Sequence, residues 1–206
     1  MNGRPADRSR VSGVILAAGL ARRFGAPKQL TVVDGRALVR RIADEACRSR
    51  LAEVIVVVGH EATAVQGALA GADVRIVENT AFQRGQSTSV RAGLAAVAPE
   101  ALGAMFLVAD QPALHAPLID QLLDVFERTG GPIVVPAYGH RRGSPVTFAR
   151  ALFPELLALR GDTGGRPVIV AHPADVIEVA IGSEEPLADI DTPDDLARWL
   201  EAQRAE

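Results

Sequence analysis

Short β-branched runs alternate along the chain with stretches whose apolar residues recur every three or four positions. Val11–Leu16, Glu53–Val58, Val74–Glu78, Ala104–Ala109 and Pro132–Pro136 read as strands. Between them, Ala37–Ser49, Glu61–Leu69, Ser87–Val97 and Pro117–Arg128 carry the helical period. The alternation predicts an α/β fold: a single-domain, Rossmann-like three-layer α/β/α arrangement with a mostly parallel sheet. Ligands bind such sheets outside the carboxyl ends of the strands, so the loops after Leu16, Glu78 and Ala109 are expected to line one cleft. Tyr138–Phe148 breaks the pattern with Gly139, Gly143 and Pro145, which predicts a loop or irregular hairpin over the cleft mouth. A helix near Ala151–Leu159, a glycine-rich turn at Gly161–Gly165 and a strand over Val176–Ile181 follow. Thr192 is placed to cap the last helix, with Pro193 at its first position and Asp194 and Asp195 at its positive end.

The 206 residues fit one domain, expected over 11–206, behind a disordered tail over 1–10. Hydrophobic residues make up 48% but aromatics only 4%, so the core must be built from Ala, Val, Leu and Ile. The net charge of −3 is spread along the chain, which argues against a nucleic acid or a membrane surface as partner. Met1–Arg10 lacks the apolar stretch of a signal peptide, and the apolar runs are too short to span a bilayer. The only cysteine, Cys47, allows no intrachain disulfide and sits in a helical pattern as a small buried thiol. These features together point to the cytoplasm.

Three polar blocks stand at predicted strand ends. In the first, Leu16-Ala17-Ala18-Gly19 leads through Arg23, Phe24 and Gly25 to Lys28. Small residues there leave backbone N–H groups free for phosphate oxygens, and Arg23 and Lys28 add fixed positive charge. The string is neither a Walker A loop nor a G-x-G-x-x-G fingerprint; taken alone it also fits a generic turn. The second block is Asn79 with Gly85-Gln86-Ser87-Thr88-Ser89, a helix opening rich in hydroxyls that fits either capping or ligand contact. The third ends Met105–Ala109 on Asp110-Gln111-Pro112. It places a carboxylate at the edge of a buried strand, for a hard divalent cation or for a helix cap. Asp189-Ile190-Asp191-Thr192-Pro193 offers a second acid. His60, His115, His140 and His172 show no metal-ligand spacing, and surface or capping roles are expected for them.

The string L-A-A-G-x-x-x-R-F-G-x-x-K over Leu16–Lys28, with D-Q-P at Asp110–Pro112 and D-T-P at Asp191–Pro193, resembles the MobA-like NTP transferases. It is most similar to their molybdenum-cofactor cytidylyltransferase branch, over about Val11–Leu200. The resemblance implies the nucleotide-diphospho-sugar transferase type of fold and a Mg²⁺-dependent nucleotidyltransferase, with Mn²⁺ as the alternative metal. It places Leu16, Ala17, Ala18 and Gly19 on base and ribose and Lys28 and Arg23 on the phosphates. Gly85 and Ser87 would lie along the nucleotide, with Asp110 and Asp191 on the metal. Lys28, Arg23 and Asp110 would be the catalytic set. Ala18 is the cytidylyl-type choice, favouring CTP over GTP. The acceptor implied is a phosphorylated compound such as molybdopterin, anchored by Arg142, Asp162 and Arg166, with a molybdoenzyme or its chaperone as a further partner. Two positions depart from the pattern: Ala21 stands where the family often has Ser or Gly, and Ser144 where it usually has His. Alternatives on the same scaffold are transfer to another sugar or alcohol phosphate, an NAD(P)-dependent reductase, and a non-catalytic nucleotide-binding module.

Overall fold

The computed structural model describes residues 8–21 and 23–205. Strand β1 (Val11–Ala17) opens the fold, followed by a small β2–β3 hairpin (Val32–Val33, Arg36–Ala37) and α1 (Leu38–Arg48). Then come β4 (Val54–Val58), α2 (Ala62–Ala68), β5 (Arg75–Glu78), α3 (Gln86–Ala96), β6 (Gly103–Val108) and α4 (Ala116–Thr129). The remainder holds β7 (Ile133–Tyr138), β8 (Arg141–Arg142), β9 (Val146–Ala149), α5 (Phe153–Ala158), α6 (Arg166–Ala171), β10 (Val176–Ala180) and α7 (Pro193–Ala205). No helix among the described residues is long and apolar enough to cross a membrane.

The main sheet runs β10-β7-β9-β6-β1-β4-β5, with β8 paired to β7. Its centre is buried on both faces: every residue of β4 is buried, as is all of β1 except half-buried Leu16. Alternate residues point to opposite layers. Val54, Val56 and Val58 join Ile42 of α1 and Ile119, Leu122 and Phe126 of α4 in one core. Ile55 and Val57 join Val90, Leu94, Phe148 and Leu156 in the other. The α3 helix lies close on the sheet at Gly93, where a Cβ would come within 2.4 Å of Val14 Cγ1. A third, smaller cluster of Val33, Leu38, Ile190 and Trp199 fastens α7 to the β2–β3 hairpin, with Phe24 packed against it.

The sheet is mostly parallel, as the alternation predicts, but Tyr138–Phe148 is more ordered than an irregular loop. β7 and β8 form a hairpin, and β9 then enters the sheet between β6 and β7, antiparallel to both. Thr147 and Phe148 are buried there, opposite Met105 and Ala104. Four residues after a proline carry too short a period to announce a central strand. Of the expected tail, residues 1–7 lie outside the described residues. Arg8, Ser9 and Arg10 are tied to the body: the Arg8 guanidinium donates to the carbonyls of Leu51 and Ala52, Ser9 N–H to Arg50 O at 2.7 Å, and the Arg10 guanidinium to Glu100 O at 2.9 Å.

Candidate active site

The loops following β1, β5 and β6 meet at the carboxyl edge around a cleft of about 790 Å³. Leu16, Ala17, Ala18 and Gly19 form one wall, Phe82–Gln86 and Ser89 the facing one, and Asp110 closes the end. Arg23, Lys28, Asp162, Asp189 and Asp191 complete the lining. Lys28, in the single 3₁₀ turn Lys28–Leu30, reaches Asp110 Oδ2 at 2.5 Å and Asp191 Oδ1 at 2.8 Å. Arg23, extended into solvent, pairs with the other Asp191 oxygen at 2.8 Å.

Backbone bonds bring Asp191 to this corner. Ile190 N–H donates to Asp110 O at 2.9 Å, which lays the Asp189–Asp191 segment beside the end of β6. Asp195 Oδ2 accepts the N–H groups of Asp191 and Thr192, while Thr192 Oγ1 accepts Asp195 N–H, a reciprocal cap on α7. Burial alone would raise the Asp191 carboxyl, but the hydrogen bond and charge of Lys28, and then Arg23, hold it below the usual carboxylate range. Burial works against the Lys28 ammonium too, and the two carboxylates outweigh it, so the lysine stays charged to higher pH than usual. Asp189 is the opposite case. Burial and then the neighbouring Asp110 charge push its carboxyl up, while a 2.9 Å hydrogen bond from Gln111 Nε2 pulls the other way. Sequence reasoning does not single out Asp189 or Gln111 as site residues, although both lie inside the D-Q-P and D-I-D strings; their pairing across 78 positions has no local signal.

The oxygen donors suit a small divalent cation. Asp110 Oδ1 is buried with no hydrogen-bond partner among the described residues, and Asp110 and Asp191 already converge on one positive group. No three His, Cys, Asp or Glu side chains among the described residues form a metal cage, so phosphate and water would have to complete the shell.

The second block divides. Gly85 adopts φ +104° and lines the cleft. Ser87, expected on the nucleotide, is 1% exposed and absent from the cleft wall; Ser89, one helical face over, lines it. The reason is how α3 is anchored. Asp162 Oδ1 accepts Gln86 N–H at 3.1 Å and Gly161 O accepts Ser87 N–H at 3.2 Å, which turns Ser87 inward. Asn79 Nδ2 donates to Thr88 and Ser89 hydroxyls and holds that turn from below. Ala21 takes a left-handed φ of +47°, a conformation that glycine adopts more easily.

A second groove of about 1290 Å³ adjoins the cleft and shares Leu16, Gln86, Asp110, Asp162 and Asp189 with it. Arg142 and Arg166 line this groove, as does Ser144. Arg142 is bound to Glu178 by Nε at 2.7 Å, and Arg141 pairs with Glu184. His115 caps α4, accepting Leu118 N–H at Nδ1 (3.2 Å), and His172 sits between Glu155 and Asp175 away from both clefts. Cys47 is half-buried rather than fully enclosed, its thiol donating toward Asp73 O at 3.5 Å.

The sequence pattern of the MobA-like NTP transferase domain matches residues 13–176. The chain belongs to the MobA-like NTP transferase family, a family of nucleotidyltransferases. It is 33% identical over 203 residues to nicotine blue oxidoreductase of Paenarthrobacter nicotinovorans, across 94% of this chain and 98% of that protein. A crystal structure of the Mycobacterium sp. strain JC1 homologue of Mycobacterium tuberculosis Rv0371c is similar at TM-score 0.85 and 32% identity, covering 97% of this chain and 100% of that one. Rv0371c from M. tuberculosis H37Rv in complex with manganese is similar at TM-score 0.77 and 32% identity, over 94% and 99%. The MobA-like match ends where β10 begins, so Asp189 and Asp191 lie outside the matched span.

Proposed function

We propose that this chain moves a nucleoside monophosphate from a nucleoside triphosphate, CTP before GTP, onto a phosphorylated acceptor such as molybdopterin, with release of pyrophosphate. The observation carrying this reading is the convergence of Lys28, Asp110 and Asp191 at the strand edge, the two acids lying 82 and 163 positions from the lysine, in the cleft that Leu16–Gly19 also line. In the reaction an acceptor phosphate oxygen attacks the α-phosphorus and the bond to the pyrophosphate oxygen breaks. The acceptor brings its own negative oxygen, so the protein's work is alignment and charge neutralisation. Lys28 and Arg23 supply positive charge to the phosphates, and the Leu16–Gly19 turn orients base and ribose. Asp110 and Asp191 would hold Mg²⁺ or Mn²⁺, which supplies Lewis-acid charge to the phosphate oxygens when bound. Gly85, just before α3, and Ser89 within it face the nucleotide. Arg166 faces the acceptor side, and Arg142 joins it by giving up Glu178.

The test is a pyrophosphate-release screen of four NTPs with Mg²⁺ or Mn²⁺, against molybdopterin and a panel of sugar phosphates. Release with CTP and molybdopterin supports the reading; no release with any pair removes it. A second reading, an NAD(P)-dependent reductase, is favoured by the 33% identity to a protein named as an oxidoreductase. Tight NADPH binding without metal, together with no metal-dependent CTP binding, would select it.

A further inference from the structure

We infer that Lys28 is an internal stand-in for the divalent cation, holding the Asp110 and Asp191 carboxylates until a metal-bound nucleoside triphosphate exchanges for it. This rests on the nucleotidyl-transfer reading above. The ammonium binds one oxygen of each acid at 2.5 and 2.8 Å, so a single positive group already draws the two carboxylates together. A divalent ion at ligand distance from both, about 2.1 Å for Mg²⁺, cannot share them with the ammonium.

The residue type supports exchange. Lys28 is the only lysine in a chain that carries 22 basic residues. Arginine is used everywhere else, and at this point its broad planar fork would lock bidentately onto a carboxylate. An ammonium is a compact point charge on a flexible stem, close in character to the ion that replaces it. The Lys28 and Asp110 side chains are only 20% and 18% exposed, so Asp110 has little water to replace the ammonium.

Exchange sets an order. A cation arriving alone must evict an ammonium whose hydrogen bonds, among the described residues, all go to these two acids. A triphosphate offers Lys28 new oxygens, so nucleotide and metal raise each other's affinity reciprocally.

The experiment measures Mn²⁺ binding without nucleotide, from the electron paramagnetic resonance signal of free Mn²⁺, for the native chain, Lys28→Gln and Lys28→Arg. Lys28→Gln is expected to bind Mn²⁺ alone at least about tenfold more tightly than the native chain and Mg²⁺·CTP more weakly, whereas Lys28→Arg gains nothing. Equal or weaker Mn²⁺ binding by Lys28→Gln overturns the inference. A readout independent of variant folding exists because the lysine is single: native protein labelled with ¹⁵N-lysine gives one side-chain ammonium signal. That signal is expected to shift when Mg²⁺ and CTP are added together, and an unmoved signal on saturation overturns the exchange. Pyrophosphate release by the native chain, with unchanged Mn²⁺ affinity in Lys28→Gln, would sink the exchange and leave nucleotidyl transfer standing. Tighter Mn²⁺ binding with no pyrophosphate from any NTP would do the reverse.

Discussion

Asp162 caps α3 from 76 residues downstream, its Oδ1 accepting the Gln86 N–H at 3.1 Å. The residue belongs to both clefts, yet its contact within the chain is structural. Asp162→Ala is therefore expected to cost about 1 kcal/mol of stability, the usual loss for a helix cap. Urea denaturation checks this, and an unchanged midpoint would leave Asp162 facing ligand alone.

Gly85 precedes that cap at φ +104°, and a Cβ there would stand 2.4 Å from Gly161 C and O. Gly85→Ala combines backbone strain with a clash against another backbone, so a loss of about 3 kcal/mol or more is expected. The same urea titration reads it, and a near-native midpoint would mean that the Gly161 turn can step aside.

Asp110→Ala and Lys28→Ala each remove one charged group from the Lys28–Asp110–Asp191 corner proposed to carry the transfer. Each is expected to lower the rate of pyrophosphate release by about 10²–10³, on the order of 3–4 kcal/mol. Near-normal turnover by either variant refutes its assignment.

The single tryptophan gives an optical probe of the Leu16–Lys28 loop. Trp199 and Phe24 share a small cluster, and Phe24 lies between Arg23 and Lys28 along the chain. Saturation with Mg²⁺·CTP is expected to change Trp199 emission, and Lys28→Ala should weaken the dependence on CTP concentration. A flat emission trace at saturating CTP, with binding verified by calorimetry, would show that the loop does not reorganise around Trp199.

His172 links stability to pH in a region remote from the cleft. Its hydrogen bond to Glu155 raises the imidazole above its ordinary 6.5, desolvation opposes this, and Asp175 adds to the rise. A folded-state value above the unfolded one stabilises fully below about pH 6.5 and is lost as pH climbs through the raised value. The native chain should thus lose urea resistance relative to His172→Gln as pH rises above about 6.5. Parallel midpoints for the two proteins across that range would refute the linkage.

The positions of most strands and helices were legible because β-branched runs and helical periods are local properties; the order of strands in the sheet is not local and was not read. Asp110 was legible for the same reason: four apolar residues and a small one ending on an acid mark a strand edge. Asp191 was visible as a motif acid, but only the Ile190–Asp110 backbone bond explains why it reaches Lys28. The inward turn of Ser87 could not be read, because two serines two residues apart face different directions on a helix. The Asp162 anchor that sets the phase is distant in sequence. The Gln111–Asp189 pair and the Arg142–Glu178 pair are likewise long-range, and no periodicity encodes them. β9 was hidden by its length.

That reversed strand has a further consequence. Because β9 runs against both neighbours, the polypeptide leaves β7 and re-enters the sheet on the same rim, and residues 139–145 never cross to the far side. A parallel insertion would have required a crossover of about a dozen residues or more. The short connection adds a segment to the groove while β1, β4 and β6 keep their own packing. Changes confined to this segment can alter what the groove admits while the Lys28–Asp110–Asp191 corner stays as it is.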